Sequence, residues 1–242
     1  VEAAGAVVTR ELDTSEATFE QDVHFDGATF ESTVTCDETT FREDTTFEDA
    51  TFRGVVNFRN ATTSGSSHVL ADHVSFAGAS FRDDAHFRQT DFQYVTFEEC
   101  AFEAAADFEH TNFRGDSVFD GCVFDRVADF DEARFFHDAG FKGVRFRDLA
   151  EFRGVAFDGG SRATSDDVTF ENAVFEGEAD FKLARFRFAD FKSAVCRGEL
   201  VLDRAAFDAR AECHGLTVEG TTDLGDATFG APAVFEEARF EG

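Results

Sequence analysis

All but two of the 34 Phe residues fall on one ruler whose marks stand alternately five and six residues apart. From Phe19 the marks run through Phe25, Phe30, Cys36, Phe41, Phe47, Phe52 and Phe58. They resume at Phe76, continue to Phe157, and run again from Phe170 to Phe240. Phe136 and Phe188 alone stand off the ruler. Two positions before nearly every mark sits a small or β-branched residue, as in Ala17, Val23, Ala28, Val34, Thr39, Thr45, Ala50 and Val56. An α-helix needs apolar residues at three- and four-residue steps, and steps of five and six would put successive Phe on opposite faces. In extended backbone, residues i−2 and i share a face. Each unit therefore reads as a three-residue strand with two inward side chains, followed by a corner. Chained together, such units coil around a Phe-filled core as a β-solenoid.

The units Ala28-Thr29-Phe30, Ala50-Thr51-Phe52 and Ala179-Asp180-Phe181 resemble the A(D/N)(L/F)xx unit of the pentapeptide-repeat family, over residues 17 to 240. The resemblance implies an all-β fold: a right-handed, four-sided parallel β-helix with four units per coil. This chain departs from the strict five-residue form by one extra residue at every second corner, which makes about 22 residues per coil. Charge gives an independent check. Stacked four units apart, Asp120–Lys142–Glu171–Lys192 and Asp125–Arg147–Glu176–Arg197 alternate in sign, and opposite neighbours in adjacent strands are favourable where like ones are not. With one unreadable unit between Phe58 and Phe76 there are 39 units, or about ten coils, and a rod on the order of 45 Å long at ~4.8 Å per stacked strand.

Residues 1–16 precede the ruler and read as an N-terminal lead-in or cap; residues 17–242 form a single solenoid. Two insertions interrupt it. Residues 59–75 are rich in Ser, Thr and Gly around Thr62-Thr63-Ser64-Gly65-Ser66-Ser67, and residues 158–169 begin Asp158-Gly159-Gly160-Ser161. Both read as loops thrown out from a corner. Residues 76–146 and 170–240 share their ruler without a gap at an offset of 94, including an extra five-residue step at Phe92–Phe97 and again at Phe186–Phe191. This pattern is a duplicated four-coil block, so both loops are expected on one edge of the rod, four coils apart. That edge is the first place to expect a partner.

The net charge is −28, and three Lys accompany 19 Arg. Acid excess with Lys depletion resembles the composition of proteins from salt-loving archaea, whose cytoplasm is molar in KCl, where the Debye length falls to about 3 Å. A sharper alternative follows from the family resemblance, since some acidic pentapeptide-repeat rods mimic duplex DNA and bind type II topoisomerases such as gyrase. The basic blocks that break the acidic ones weigh against that alternative, and no basic stripe survives for direct nucleic-acid binding. No stretch of 18 apolar residues and no signal peptide occurs within these residues. A cytoplasmic location is expected, with any membrane tether in segments outside this chain. The sequence has no Met and stops at Gly242 in mid-pattern, as a portion of a longer protein would.

Little resembles an active site, and no catalytic residue, metal or cofactor is expected. Cys36, Cys196 and Cys213 occupy marks, and Cys100 and Cys122 the small inward positions; all five read as free structural thiols in the core. His68 and His73, with Asp72 between them, lie in the first insertion and Arg162 in the second; they join Phe136 and Phe188 as candidate contact residues. Outward Thr29, Thr40, Thr46 and Thr51 stop after the first coils, too few for an ice- or mineral-binding face. The reading is a non-catalytic scaffold or protein-interaction module with an unidentified protein partner, able to dimerise through its C-terminal coils.

Overall fold

The computed structural model describes residues 1–64, 74–159 and 168–242. It contains 41 two-residue strands and, among the described residues, no helix. The strands form four parallel sheets of 11, 10, 10 and 10 strands, and each strand pairs with the fourth strand before and after it. We number the sheets by their first strands: Val7–Val8, Leu12–Asp13, Thr18–Phe19 and Val23–His24. A coil visits all four in turn, so the molecule is a four-sided β-solenoid of about ten coils.

The alternating ruler has a local cause. Every five-residue step after the second sheet or the fourth contains a tight turn whose second corner residue has positive φ, as at Gly27 (66°), Glu38 (58°) and Asn60 (55°). The turn closes with a hydrogen bond from the next small residue to the preceding mark: Ala28 N–H donates to Phe25 O at 2.9 Å, and Ala61 N–H to Phe58 O at 3.1 Å. A positive φ at the third residue of such a turn is the type II pattern. The six-residue steps, after the first and third sheets, spend their extra residue instead of a left-handed conformation. At the corner between the first and second sheets, successive coils approach closely. A Cβ on Gly198 would stand 2.3 Å from Gly177 O. Gly198→Ala is therefore expected to lower stability by about 1–3 kcal/mol through overpacking, read as a lower thermal midpoint.

Inside, the marks form ring columns. Phe30, Phe52, Phe81, Phe102, Phe124, Phe146 and Phe175 stack along the first sheet with centroids 4.6–5.0 Å apart. That spacing follows from strand pairing. Neighbouring columns meet edge to face, as Phe108 and Phe119 do at 5.4 Å and 89°. Offset stacking and T-shaped contacts are the favourable aromatic geometries.

Four thiols and hydroxyls inside this core bond to the coil before. Thr90 Oγ1 donates to Phe58 O at 2.5 Å, Thr111 Oγ1 to Phe87 O at 2.6 Å, Cys100 Sγ to Phe76 O at 2.9 Å and Cys122 Sγ to Phe97 O at 2.8 Å. All four stand on the residue after a turn, where the carbonyl of a mark in the preceding coil faces them. All five Cys are free and buried. Burial pushes the thiols of Cys36, Cys196 and Cys213 up to about 12 and raises that of Cys122.

The boundaries differ from expectation at three places. Residues 1–16, expected as a lead-in, already belong to the coil: Val7–Val8 pairs with Thr29–Phe30, and Leu12–Asp13 with Val34–Thr35. Val8 and Thr14 hold inward positions that Phe holds later, which is why the ruler seemed to begin at Phe19. Within 59–75, Thr62–Thr63 and Val74–Ser75 are strands, and within 158–169 so is Val168–Thr169. Thr63 occupies the mark that no Phe announced, pairing with Phe41.

Candidate functional site

Both insertions separate a strand of the third sheet from one of the fourth. The first follows Thr62–Thr63 and the second Ala156–Phe157, four places further along the same sheet. They therefore leave one edge of the rod, as the duplication predicts. His68, His73 and Arg162 lie outside the described residues.

The same edge collects every aromatic residue that the core does not use. Phe136 follows the strand Arg134–Phe135, and Phe188 follows Arg185–Phe186. A third, Tyr94, follows Asp91–Phe92. Those strands are the fourth, sixth and eighth of the third sheet, so the three rings recur every second coil. Tyr94 is 47 % exposed. Phe136 and Phe188, expected to project outward, are half-buried. The Phe136 ring lies 5.9 Å from the Arg114 guanidinium carbon, and Arg114 is itself held by Asp91 through Nη2–Oδ2 at 2.5 Å. A Cβ on Gly115 would come within 2.5 Å of the Tyr94 ring, so the ring lies over the backbone of the next coil.

Tyr94 escaped the sequence reading because one aromatic residue two places after a mark looks like any polar corner residue. The duplication could have found it: the offset of 94 carries Tyr94 onto Phe188. Each stands in a corner one residue shorter than its neighbours, one coil after an insertion. Losing that residue pulls the corner tight and leaves the bulky side chain on its rim.

Electrostatics around the rod follow the stacking rule. Lys142 N–H donates to Asp120 Oδ1 at 2.8 Å, and Lys142 Nζ lies 3.6 Å from Glu171. Arg147 meets Asp125 at 2.8 Å, and Arg197 meets Glu176 at 3.5 Å. Glu176 also takes Arg145 at 3.0 Å. Such exposed pairs contribute about 0–1 kcal/mol each.

The second sheet breaks the rule. His86, Asp107, Asp129, Glu151 and Asp180 stack in register along its outer face. Burial, followed by the carboxylates of Asp131, Glu151 and Asp107, pushes Asp129 up to about 6, against a hydrogen bond from Asp131 N–H at 2.9 Å. Oxygens of Asp107, Glu109 and Asp129 lie within 4.8 Å of one another and could in principle face a cation. Two of the three already have protein partners: Arg88 bonds Glu109 at 3.0 Å, and His86 lies 3.6 Å from Asp107.

Asp129→Asn keeps an oxygen for the Asp131 N–H and removes the charge. The folded carboxyl holds its proton up to about pH 6, whereas the unfolded one releases it near 3.8. Stability therefore falls as pH rises between those values and stays lowered above them. Discounted for its exposure, the variant should gain ~1 kcal/mol at pH 7 and nothing near pH 4; thermal melts at both pH values check it.

A groove of about 630 Å³ lies between the second and third sheets and includes His110, Asp131, Glu132 and Arg153. His110 lies 3.2 Å from Glu109 and 3.3 Å from Glu132, and Arg153 bonds Asp131 at 2.8 Å, so these side chains face one another. At the C-terminal end the core is uncovered: Leu224, Phe229, Phe235 and Phe240 are 40–49 % exposed around an apolar hollow of about 240 Å³. No helix among the described residues is long and apolar enough to cross a membrane.

Among solved structures the chain is similar to QnrB1, a plasmid-mediated fluoroquinolone resistance protein, at 15 % identity and a TM-score of 0.44, covering 95 % of this chain and 91 % of that one. It is also similar to HetL, a pentapeptide repeat protein involved in heterocyst differentiation regulation from a Nostoc cyanobacterium. That match has 15 % identity and a TM-score of 0.28, and covers 97 % and 89 % of the two chains. No curated protein matches the sequence significantly. A family model described as pentapeptide repeats (9 copies) matches residues 15–62 and 119–162. With four parallel sheets, a type II turn at every second corner and a core of stacked Phe, the chain carries pentapeptide repeats over residues 15–62 and 119–162 and continues the same coil through the other described residues.

Proposed function

We propose that this protein is a non-catalytic scaffold that engages protein partners along the edge between its third and fourth sheets. The observation that carries this reading is the gathering of Tyr94, Phe136 and Phe188, the only aromatics off the core ruler, at one of four corners. Aromatic residues set beside Arg are the composition of contact hot spots. A rigid rod holds them at fixed spacing without ordering cost on binding. The dense carboxylate surface suits a cytoplasm of molar KCl.

The test compares the native chain with the Tyr94→Ala/Phe136→Ala/Phe188→Ala variant, each immobilised and exposed in molar KCl to extract from the source organism. Proteins held by the native chain and lost by the variant are edge partners. Identical captured sets would overturn the edge as a contact surface. The DNA-mimic alternative draws on the −28 charge, but a mimic needs an unbroken acidic face, and the ion-pair columns interrupt it with Lys142, Arg147 and Arg153. A gyrase supercoiling assay unaffected by excess protein would dispose of that alternative.

A further inference from the structure

We propose that the groove between the second and third sheets binds a monocarboxylate with an apolar tail, its head on Arg134 and its tail on Leu183. The groove owes its existence to one missing side chain. Each strand of the second sheet is followed, three residues beyond its end, by a corner residue with positive φ, and Gly154 alone among these carries no side chain. His110 and Glu132 precede it in that column, and Leu183 follows. A Cβ at Gly154 would touch only Glu132 Cγ, at 3.6 Å, so the notch is open. On the adjoining face of the third sheet, Ala156 comes between Arg134 and Arg185, and its small side chain extends the notch across the sheet. The resulting groove, of about 630 Å³, has the volume of a small-molecule site.

Arg134 supplies the recognition. Asp and Glu outnumber Lys and Arg by 50 to 22 in this chain, and the other guanidiniums on mid-rod strands are taken. Arg145 meets Glu176 at 3.0 Å, and Arg185 meets Asp208 at 3.3 Å. Arg134, exposed on the groove wall, meets no carboxylate among the described residues. It stands in register with Asn112, whose side chain also lines the groove and offers an N–H donor. A guanidinium fork takes a carboxylate through two parallel hydrogen bonds. Leu183, one coil beyond the notch, is 49 % exposed. It stands two coils from Arg134, roughly 10 Å along the rod at ~4.8 Å per coil, with only the small residues Gly154 and Ala156 between. The groove's own acids set the charge of the ligand. Asp131 lies on Arg153 and Glu132 beside His110, and a second negative charge on the ligand would face both. A monoanion is therefore favoured over a phosphate or a dicarboxylate.

Isothermal titration calorimetry of the whole chain with octanoate should show saturable binding in about 1 M KCl, where a Debye length of ~3 Å screens the net charge beyond contact. Octanol, which lacks the head, and suberate, charged at both ends, should bind at least roughly ten-fold more weakly. Arg134→Gln should weaken octanoate at least roughly ten-fold while circular dichroism stays native, since Arg134 holds no ion pair among the described residues. Arg126→Gln removes the same charge from an exposed guanidinium at another corner and should leave binding unchanged. Leu183→Asn, at a left-handed position that Asn tolerates, should weaken octanoate roughly three-fold or more. An N-acetylated tripeptide ending in leucine separates the two sources of such a head and tail. If its free acid binds more tightly than octanoate and its amide does not bind, the ligand is a polypeptide C-terminus; if octanoate is the tighter, it is a free organic acid. No saturable binding by octanoate or the peptide acid overturns the proposal. Binding that octanol matches and Arg134→Gln spares would put the ligand in the C-terminal hollow and overturns it too. An equal loss on Arg126→Gln, the mark of a general charge effect, does the same.

Discussion

Replacing Phe119 with Ala is expected to lower the free energy of unfolding by about 3–5 kcal/mol. The ring is fully buried. It stacks on Phe97 at 5.0 Å and Phe141 at 4.9 Å, and meets Phe108 and Phe130 edge to face at 5.4 Å each. Parallel strands on either side fix the backbone, so the cavity cannot collapse, and the cost should lie toward the upper end. A solenoid adds a second effect. Each coil touches only its neighbours, so stability is a sum of coil and interface contributions. A hole at mid-rod weakens the coupling between the two halves, and the unfolding transition should broaden as well as shift. Guanidinium unfolding in molar KCl, followed by circular dichroism, reads both. Phe119→Leu, which restores most of the volume, should cost under roughly 2 kcal/mol. A loss below 1 kcal/mol for the Ala variant, with an unchanged slope, would mean that the ring columns fill space without holding the rod together.

The next largest effect is expected from salt. Most Arg and Lys side chains already meet carboxylates, as Arg53 meets Glu31 at 3.1 Å and Lys182 meets Asp203 at 2.7 Å. The net charge of −28 therefore remains as unneutralised acid spread along a narrow rod. At about 0.1 M salt the Debye length of about 10 Å spans two stacked coils, and at about 1 M it falls to about 3 Å, less than one. Salt also weakens the ion pairs, but these contribute at most about 1 kcal/mol each, and the acid excess decides the sign. Lowering KCl from about 3 M to 0.1 M at pH 7 should reduce the thermal midpoint by on the order of 10 °C, corresponding to roughly 3–4 kcal/mol for a chain of this size. At pH 4.5 the difference should shrink as carboxylates protonate, which separates charge repulsion from a general salting effect on apolar burial. A midpoint indifferent to KCl at pH 7 would remove the habitat explanation of the charge.

The fold was legible in the sequence because Phe is large, apolar and confined to positions that two constraints select together: an inward face and a corner of fixed length. Even the alternation of Asp120, Lys142 and Glu171 could be read, since stacking puts residues one coil apart side by side. Legibility failed where the inward residue was not Phe. Val8, Thr14 and Thr63 hold core positions but also occur in loops and on surfaces, so the first coil and the third sheet's third strand went unrecognised. The contact edge was half legible. Phe136 and Phe188 were visible as ruler-breakers, whereas Tyr94, in a position that polar residues also fill, was not.

By itself the periodicity of the sequence determined the solenoid and its number of units. Its four sides, and with them the number of coils and the shared edge of the two insertions, came from the resemblance to pentapeptide repeats, with the charge alternation as a check. The tertiary structure decided what lies across coils. It showed Thr90, Thr111, Cys100 and Cys122 bonding to carbonyls of the preceding coil. It raised Asp129 among stacked carboxylates, and it aligned Tyr94, Phe136 and Phe188 on one corner with Phe136 at the centre. The reason is geometric. Neighbours along the chain are fixed by bond lengths, but neighbours across coils depend on how many residues each corner spends, and two shortened corners change which side chains meet.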